Sequence, residues 1–237
     1  NPHAIDNIKR RIFMKKNIIK IVSMMLIIAT ISPITVQAST IQQSELNLTS
    51  MQSTEFENLI SEILSIKEEH PEYKEKMILQ IMNERHPQIK GSSRGIIDIW
   101  NALTESEKKL CIRYPFDALK VNTAKDIATS QTATKFGSNG LGDRSDAFRH
   151  GIWNVEMTVL IGKEKAELFA TAHEDKDVTG NEADGYPKTA HRDMDLHNNE
   201  VGREIGGKNS NASEDEMAEI IYQEIYSTGT SFIWLHE

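Results

Sequence analysis

Residues 143–160 read Asp-Arg-Ser-Asp-Ala-Phe-Arg-His-Gly-Ile-Trp-Asn-Val-Glu-Met-Thr-Val-Leu. The spacing predicts a helix from about Ser145 to Leu160. Asp146, His150 and Asn154 follow one another at i, i+4 along one row, beside an apolar face of Phe148, Ile152 and Val159. A polar row that edges an apolar one marks a helix whose polar side chains line a site inside a core. The same helical period recurs outward in both directions, and no convincing strand alternation appears apart from a short tail, Ser231 to Leu235. The predicted fold class is therefore all-α, a compact multi-helix domain preceded by an N-terminal helical hairpin.

Toward the C-terminus, residues 164–174, about 191–205 and 214–226 read as three further helices, the last behind the capping box Ser213-x-x-Glu216. Toward the N-terminus, the glycine-rich loop Phe136 to Gly142 feeds the central helix. It lacks the Lys-Ser/Thr of a P-loop and reads as a connection. Before it, Thr104-x-x-Glu107 caps a helix through Leu110, Cys111 and Ile112, and Phe116 to Ala128 shows helical spacing. A hairpin is predicted over 54–90. Thr54-x-x-Glu57 opens its first helix, with Phe56, Leu59, Ile60 and Ile63 inward, and Tyr73, Met77, Ile78 and Ile81 face inward from its second. His70-Pro71 and His86-Pro87 stop the two helices. Residues 88–94 read as a linker, with the main domain over 91–237.

Residues 14–38 carry Lys15, Lys16 and Lys20, an apolar run from Ile21 to Ile31, and Val36-Gln37-Ala38. This is the pattern of a secretory signal peptide cleaved after Ala38, the alternative being an uncleaved N-terminal anchor. Residues 1–13 form an upstream segment foreign to the fold, and 39–53 a flexible polar leader. The chain carries 27 Lys+Arg against 35 Asp+Glu; without residues 1–38 there remain 21 and 34, a formal −13. Such a charge disfavours nucleic acid as a partner. With 38% hydrophobic and 26% charged residues the composition is that of a globular protein and excludes low-complexity and collagen-like chains. The single Cys111 excludes an intramolecular disulfide, and its setting in Leu110-Cys111-Ile112 reads as core. The expected location is extracellular, with no stable membrane anchor after cleavage and a substrate the sequence does not name.

His150, His173, His191 and His197 fall within one stretch, with Asp146, Glu174, Asp193 and Asp195 around them. His173 extends the stripe Ala166, Phe169, Ala170 and points inward, with Glu174 turned about 100° from it. In the next helix His191/Asp195 and Asp193/His197 are both i, i+4 pairs; His197 shares the apolar stripe of Met194 and Val201 and is preferred. Neutral imidazoles with carboxylates are the ligands of zinc or another borderline divalent ion. Asp146, His150, His173, Asp195 and His197 are thus the expected metal ligands. Glu174 is the expected general base, with His150, Asn198 and Asn199 at the reacting centre. The same residues also suit metal-free acid–base chemistry. No Gly-x-Ser-x-Gly elbow is present, so water is the expected nucleophile.

The segments Arg113-Tyr114-Pro115-Phe116, Phe136 to Gly140, Asp143 to His150 with Trp153-Asn154, Ala170 to Glu174, and Met194 to Arg203 together resemble a bacterial domain family of unknown function found in secreted and toxin-like proteins. The resemblance implies a helical domain and a site of Asp146, His150, His173, Glu174, Asp195, His197, Asn198 and Asn199, with no established activity. In architecture the chain is similar to secreted zinc-dependent phospholipase C, but it lacks that family's further ligands and mature N-terminal Trp. The function expected is a secreted hydrolase that activates water at the His/Asp/Glu cluster with a divalent metal. The alternatives are a metal-free, toxin-like hydrolase of cell wall or lipid, and a secreted non-enzymatic binding module whose polar cluster is structural.

Overall fold

Residues 144–161 form a helix with neighbours on almost every side. In the computed structural model, which describes residues 52–87 and 95–237, this is the sixth of nine helices among the described residues. They are α1 (residues 52–69), α2 (Glu75–Arg85), α3 (Ile96–Ala102), α4 (Glu105–Arg113), α5 (Pro115–Phe136), α6 (Arg144–Ile161), α7 (Lys163–His173), α8 (Lys188–Lys208) and α9 (Glu214–Ile225). The fold is all-α. Among the described residues the only β-type pairing is an isolated bridge between Asn181 and Pro187, and the 231–237 tail is irregular. No helix among them is long and apolar enough to cross a membrane. The expectations for residues 1–13, 14–38, most of the leader and the linker 88–94 lie outside the described residues. All described residues belong to one compact unit that spans 46–237, α1 and α2 included.

Two of the three predicted capping boxes form, those at Thr104 and Ser213. Thr104 Oγ1 accepts from the Glu107 N–H at 3.0 Å and Glu107 Oε2 from the Thr104 N–H at 2.8 Å; Ser213 and Glu216 repeat the arrangement at α9. At the start of α1, Gln52 and Ser53 are already helical, so Thr54 lies inside the helix instead of capping it. The predicted inward residues of α1 are buried, and Ile66 joins them. On α2 the buried residues are Ile78 and Met82, one i, i+4 row, while Met77 is 46% exposed. A helix that touches its neighbours along one narrow seam buries fewer positions than its apolar residues offer. Cys111 is buried in α4, where burial pushes its thiol pKa up, as suits an inert core residue.

α5, α7, α8 and α9 surround α6. Phe148, Ile152, Val155 and Met157 are fully enclosed, whereas Val159, predicted on the apolar face, is 39% exposed near the helix end. The contact with α8 is the closest. A Cβ on Gly202 would lie 2.4 Å from the Gly151 carbonyl oxygen, and one on Gly206 would lie 3.0 Å from the Val155 backbone. These two glycines, one turn apart, let the backbones touch. The tail closes the other side. Phe232 packs on Gly151, and Asn198 clamps the Ile233 backbone through both amide groups, its Nδ2 donating at 2.8 Å and its Oδ1 accepting at 3.0 Å.

Gly202→Ala should destabilise the chain by about 1–3 kcal/mol in urea unfolding, because a methyl group against a backbone carbonyl forces the helices apart. Gly207→Ala, on the open face of the same helix with nothing within 4 Å, should instead be neutral or stabilise by about 0.5–1 kcal/mol. Equal effects at the two positions would contradict the close-packing account.

Candidate metal centre

The helix crossing sets Asn199 of α8 against His150 of α6, and a chain of amides then determines which ring nitrogen holds the proton. Arg203 has only donors, and its Nη1 donates to Asn154 Oδ1 at 3.0 Å. Asn154 must therefore turn its Nδ2 toward Asn199, whose Oδ1 accepts at 2.6 Å. That same Oδ1 accepts from His150 Nδ1 at 3.0 Å. The neutral imidazole thus carries its proton on Nδ1 and keeps the Nε2 lone pair free. Asn154, Asn198 and Asn199 are fully buried.

His150 Nε2 faces two carboxylates, Asp195 Oδ1 at 3.3 Å and Asp146 Oδ1 at 3.6 Å, and Glu174 Oε1 lies 4.0 Å from Nδ1. Asp146 is set by the loop before its helix. Asp143 Oδ1 accepts from the Asp146 N–H at 3.0 Å, and Asp146 Oδ2 accepts from the Gly142 N–H at 2.7 Å. Gly142 has φ +71°, and a Cβ there would lie 2.6 Å from Asp184 Oδ2. The glycine loop read as a plain connection is therefore part of the site. Arg149 ties it down by bonding to both Asp146 Oδ1 and the Gly140 carbonyl.

Asp146, His150 and Asp195 each offer a ligand atom, and the three atoms lie within 4.8 Å of one another. Asp195 Oδ1 and Glu174 Oε1 are buried with no hydrogen-bond partner among the described residues. An orphaned Asp195 oxygen beside the imidazole lone pair, with a second orphaned oxygen of Glu174 near the other ring nitrogen, forms an arrangement that a cation resolves. Burial, reinforced by the Asp146 and Glu174 charges, pushes the Asp195 carboxyl up to about 8. Burial holds the His150 imidazole below its ordinary value against the pull of those carboxylates, so the ring stays neutral and able to ligate.

Not all the predicted ligands meet. His173 turns its Nδ1 to Glu107 at 2.8 Å and stacks edge-on against Trp153, which places it at the rim of the cleft and apart from the metal group. His197 is exposed on the far side of α8 and bonds the Ser231 carbonyl at 2.7 Å. Helical drift explains this. Met194, Asn198 and Asn199 occupy the buried row, and His191, set aside in favour of His197, is the buried imidazole. Asn198 bonds the backbone of the tail, and Asn199 gives its Oδ1 to His150 and Asn154 while its Nδ2 has no partner among the described residues. Glu174 is buried beside His150, as a base needs to be.

A second group borders the first. Asp184 holds His191 Nε2 at 3.0 Å and His236 Nε2 at 3.1 Å. Burial alone would raise the Asp184 carboxyl, but the Tyr186 N–H and the two imidazoles hold it below its ordinary value. A cleft of about 240 Å³ has Asp146, His150, Glu174 and Asp195 on its walls beside Lys176 and Arg192, and His191 of the second group also lines it. The sequence signal for Asp184 and His236 was faint, since each comes from an irregular segment without periodicity.

In metal-free protein the raised Asp195 pKa makes the native state hold a proton that the unfolded state releases. Stability from this group is then fully present below the unfolded value of 3.8 and is lost as pH rises to about 8. The stability gap between Asp195→Asn and wild type, measured by thermal melts in chelator, should widen from about pH 4 to pH 8 in favour of the variant and level off above. A gap independent of pH would contradict the assignment.

No curated protein and no solved structure matches the chain. The family model of a domain of unknown function, DUF6973, matches residues 108–229, which include Asp146, His150, Glu174 and Asp195 and leave out Glu107 and His236. The chain belongs to the DUF6973 family of domains of unknown function.

Proposed function

We propose that the chain is a metal-dependent hydrolase, exported through residues 14–38 and active outside the cell on a non-nucleic-acid substrate. The observation that carries the reading is the direction of the His150 Nε2 lone pair, turned by Asn199 toward Asp146 and Asp195. Asp146, His150 and Asp195 would hold one divalent ion of the zinc type. Such an ion supplies Lewis-acid polarisation and makes water acidic enough to ionise near neutral pH. Three protein ligands leave room for water and substrate, as catalytic sites require.

Glu174 takes the proton of the attacking water. Its buried, unpartnered Oε1 is free to accept it, and the proton then passes to the leaving group as the scissile bond breaks. The water's OH goes to the electrophilic centre and its H to the departing fragment. Asn199, Asn154 and Arg203 are positioning residues that hold the imidazole in the ligating tautomer. His173, pinned by Glu107, borders the cleft where substrate enters.

Elemental analysis of the full chain, without an added His tag and after exposure to zinc, should find about one equivalent of metal, and His150→Ala and Asp195→Asn should lose it. Asn199→Ala should weaken metal binding by about 10–100-fold. Glu174→Gln should keep the metal and lose hydrolysis of ester and amide substrates by about 10²-fold or more. A wild-type chain that takes up no divalent metal would sink the reading.

A further inference from the structure

The metal cleft adjoins a larger space. A second cavity of about 480 Å³ lies between α5 and the α3–α4 corner, and it shares Arg149, His150 and His173 with the cleft. Its wall is mostly apolar: Phe56, Leu103, Val121, Trp153 and Phe169 line it with Cys111, and Glu107 and Asn122 line it too. Polar side chains, among them Gln52, Asp98 and Lys125, border it toward the surface, where all three are exposed. The cavity opens to solvent on that side. It falls within the roughly 300–1,000 Å³ typical of small-molecule pockets.

The junction is built as a boundary between the two environments. Trp153 is buried, its indole N–H donates to the Val121 carbonyl at 3.4 Å, and its ring meets His173 edge-on with centroids 5.2 Å apart. His150 stands on the polar side of that ring, 6.4 Å away centroid to centroid. Apolar wall therefore changes to carboxylate and imidazole within one side chain.

The geometry points to an amphiphile as the ligand, with one alkyl or acyl chain lying in the apolar cavity and its polar, hydrolysable head at His150. The inference rests on the hydrolase reading for the head alone. The chain-binding half follows from the cavity and needs no metal. A free fatty acid and an acyl ester share this chemistry, and the cavity binds either through the chain.

The test is calorimetric titration of the full-length chain with dodecanoate, below its micelle concentration, against acetate as the head without the chain, both with zinc and in chelator. Dodecanoate should bind at least tenfold more tightly than acetate in both conditions. Val121→Phe, which fills the cavity, and Leu103→Gln, which adds an unpaired polar group to the opposite wall, should each weaken dodecanoate at least tenfold while metal content is unchanged. The two variants come from different elements, α5 and the bend between α3 and α4, so misfolding of one leaves the other to decide. Dodecanoate binding no tighter than acetate overturns the inference, as it would if another stretch of this chain were seated there, and so does equal affinity in wild type and both variants. Cavity-dependent binding by a chain that takes up no metal sustains the inference and sinks the hydrolase reading; a metal-bound chain that ignores dodecanoate does the reverse.

Discussion

The contact of α6 with α8 at Gly202 and Gly206 is the constraint on which the rest of the site depends. Side-chain-separated helices sit about 8–10 Å apart, and at that distance an Asn on one helix has little reach to an imidazole on the other. Backbone contact at Gly151 and Gly202 shortens the approach, and Asn199, one turn before Gly202, then meets His150, one residue before Gly151. Asp195 comes one further turn up the same face of α8, opposite the other nitrogen of that ring. The tail reinforces the crossing, since Phe232 fills the space that a side chain at Gly151 would take and Asn198 holds the strand-like Ile233 backbone in place. Packing and chemistry are thus one problem here, because the small residues that close the helices also set the ligand geometry.

Within that crossing, orientation is passed from a group with no choice to groups with two. Arg203 cannot accept a hydrogen bond, Asn154 can present either end of its amide, Asn199 likewise, and neutral His150 can carry its proton on either nitrogen. Each link removes one alternative from the next. The network is buried, where an unpaired group costs about 1–3 kcal/mol, and the relay as it stands leaves only Asn199 Nδ2 and Arg203 Nε of its own buried groups without a partner among the described residues. The free lone pair at the end of the relay faces carboxylates that would repel one another without a proton or a cation among them.

The all-α class, two of the three capping boxes and the helix positions were legible because they rest on local rules: period, caps and breakers. The triad Asp146, His150 and Asp195 was legible for the same reason, as an i, i+4 pair plus one acid on a neighbouring helix. The face of α8 was harder. Met194 and Val201 made His197 look inward, but Asn198 and Asn199 are the buried residues, and a sequence reading treats asparagines as surface. Polar residues that are buried to satisfy one another leave no hydrophobic trace. Glu107 shows a different limit. Its capping role was plain, but one oxygen serves the cap and the other holds His173 from 66 positions away, a tertiary use that no spacing announces. Gly142 was read as slack, although its left-handed φ and the crowding by Asp184 and His191 make it a fitted part.

An acidic protein that gathers Asp146, Glu174 and Asp195 around one imidazole accepts local repulsion that a purely structural network would avoid. A structural cluster of buried polar groups is expected to end with its donors and acceptors matched, as Asn198 and Ile233 are. This one ends with Asp195 Oδ1, Glu174 Oε1 and the Asn199 Nδ2 unmatched and with His150 Nε2 turned toward Asp195 and Asp146, next to a cleft lined by these carboxylates and a cavity that can hold a chain. The relay from Arg203 spends three buried side chains on that outcome. The arrangement runs against internal satisfaction and toward a ligand from outside, which favours a metal-binding role over a structural one.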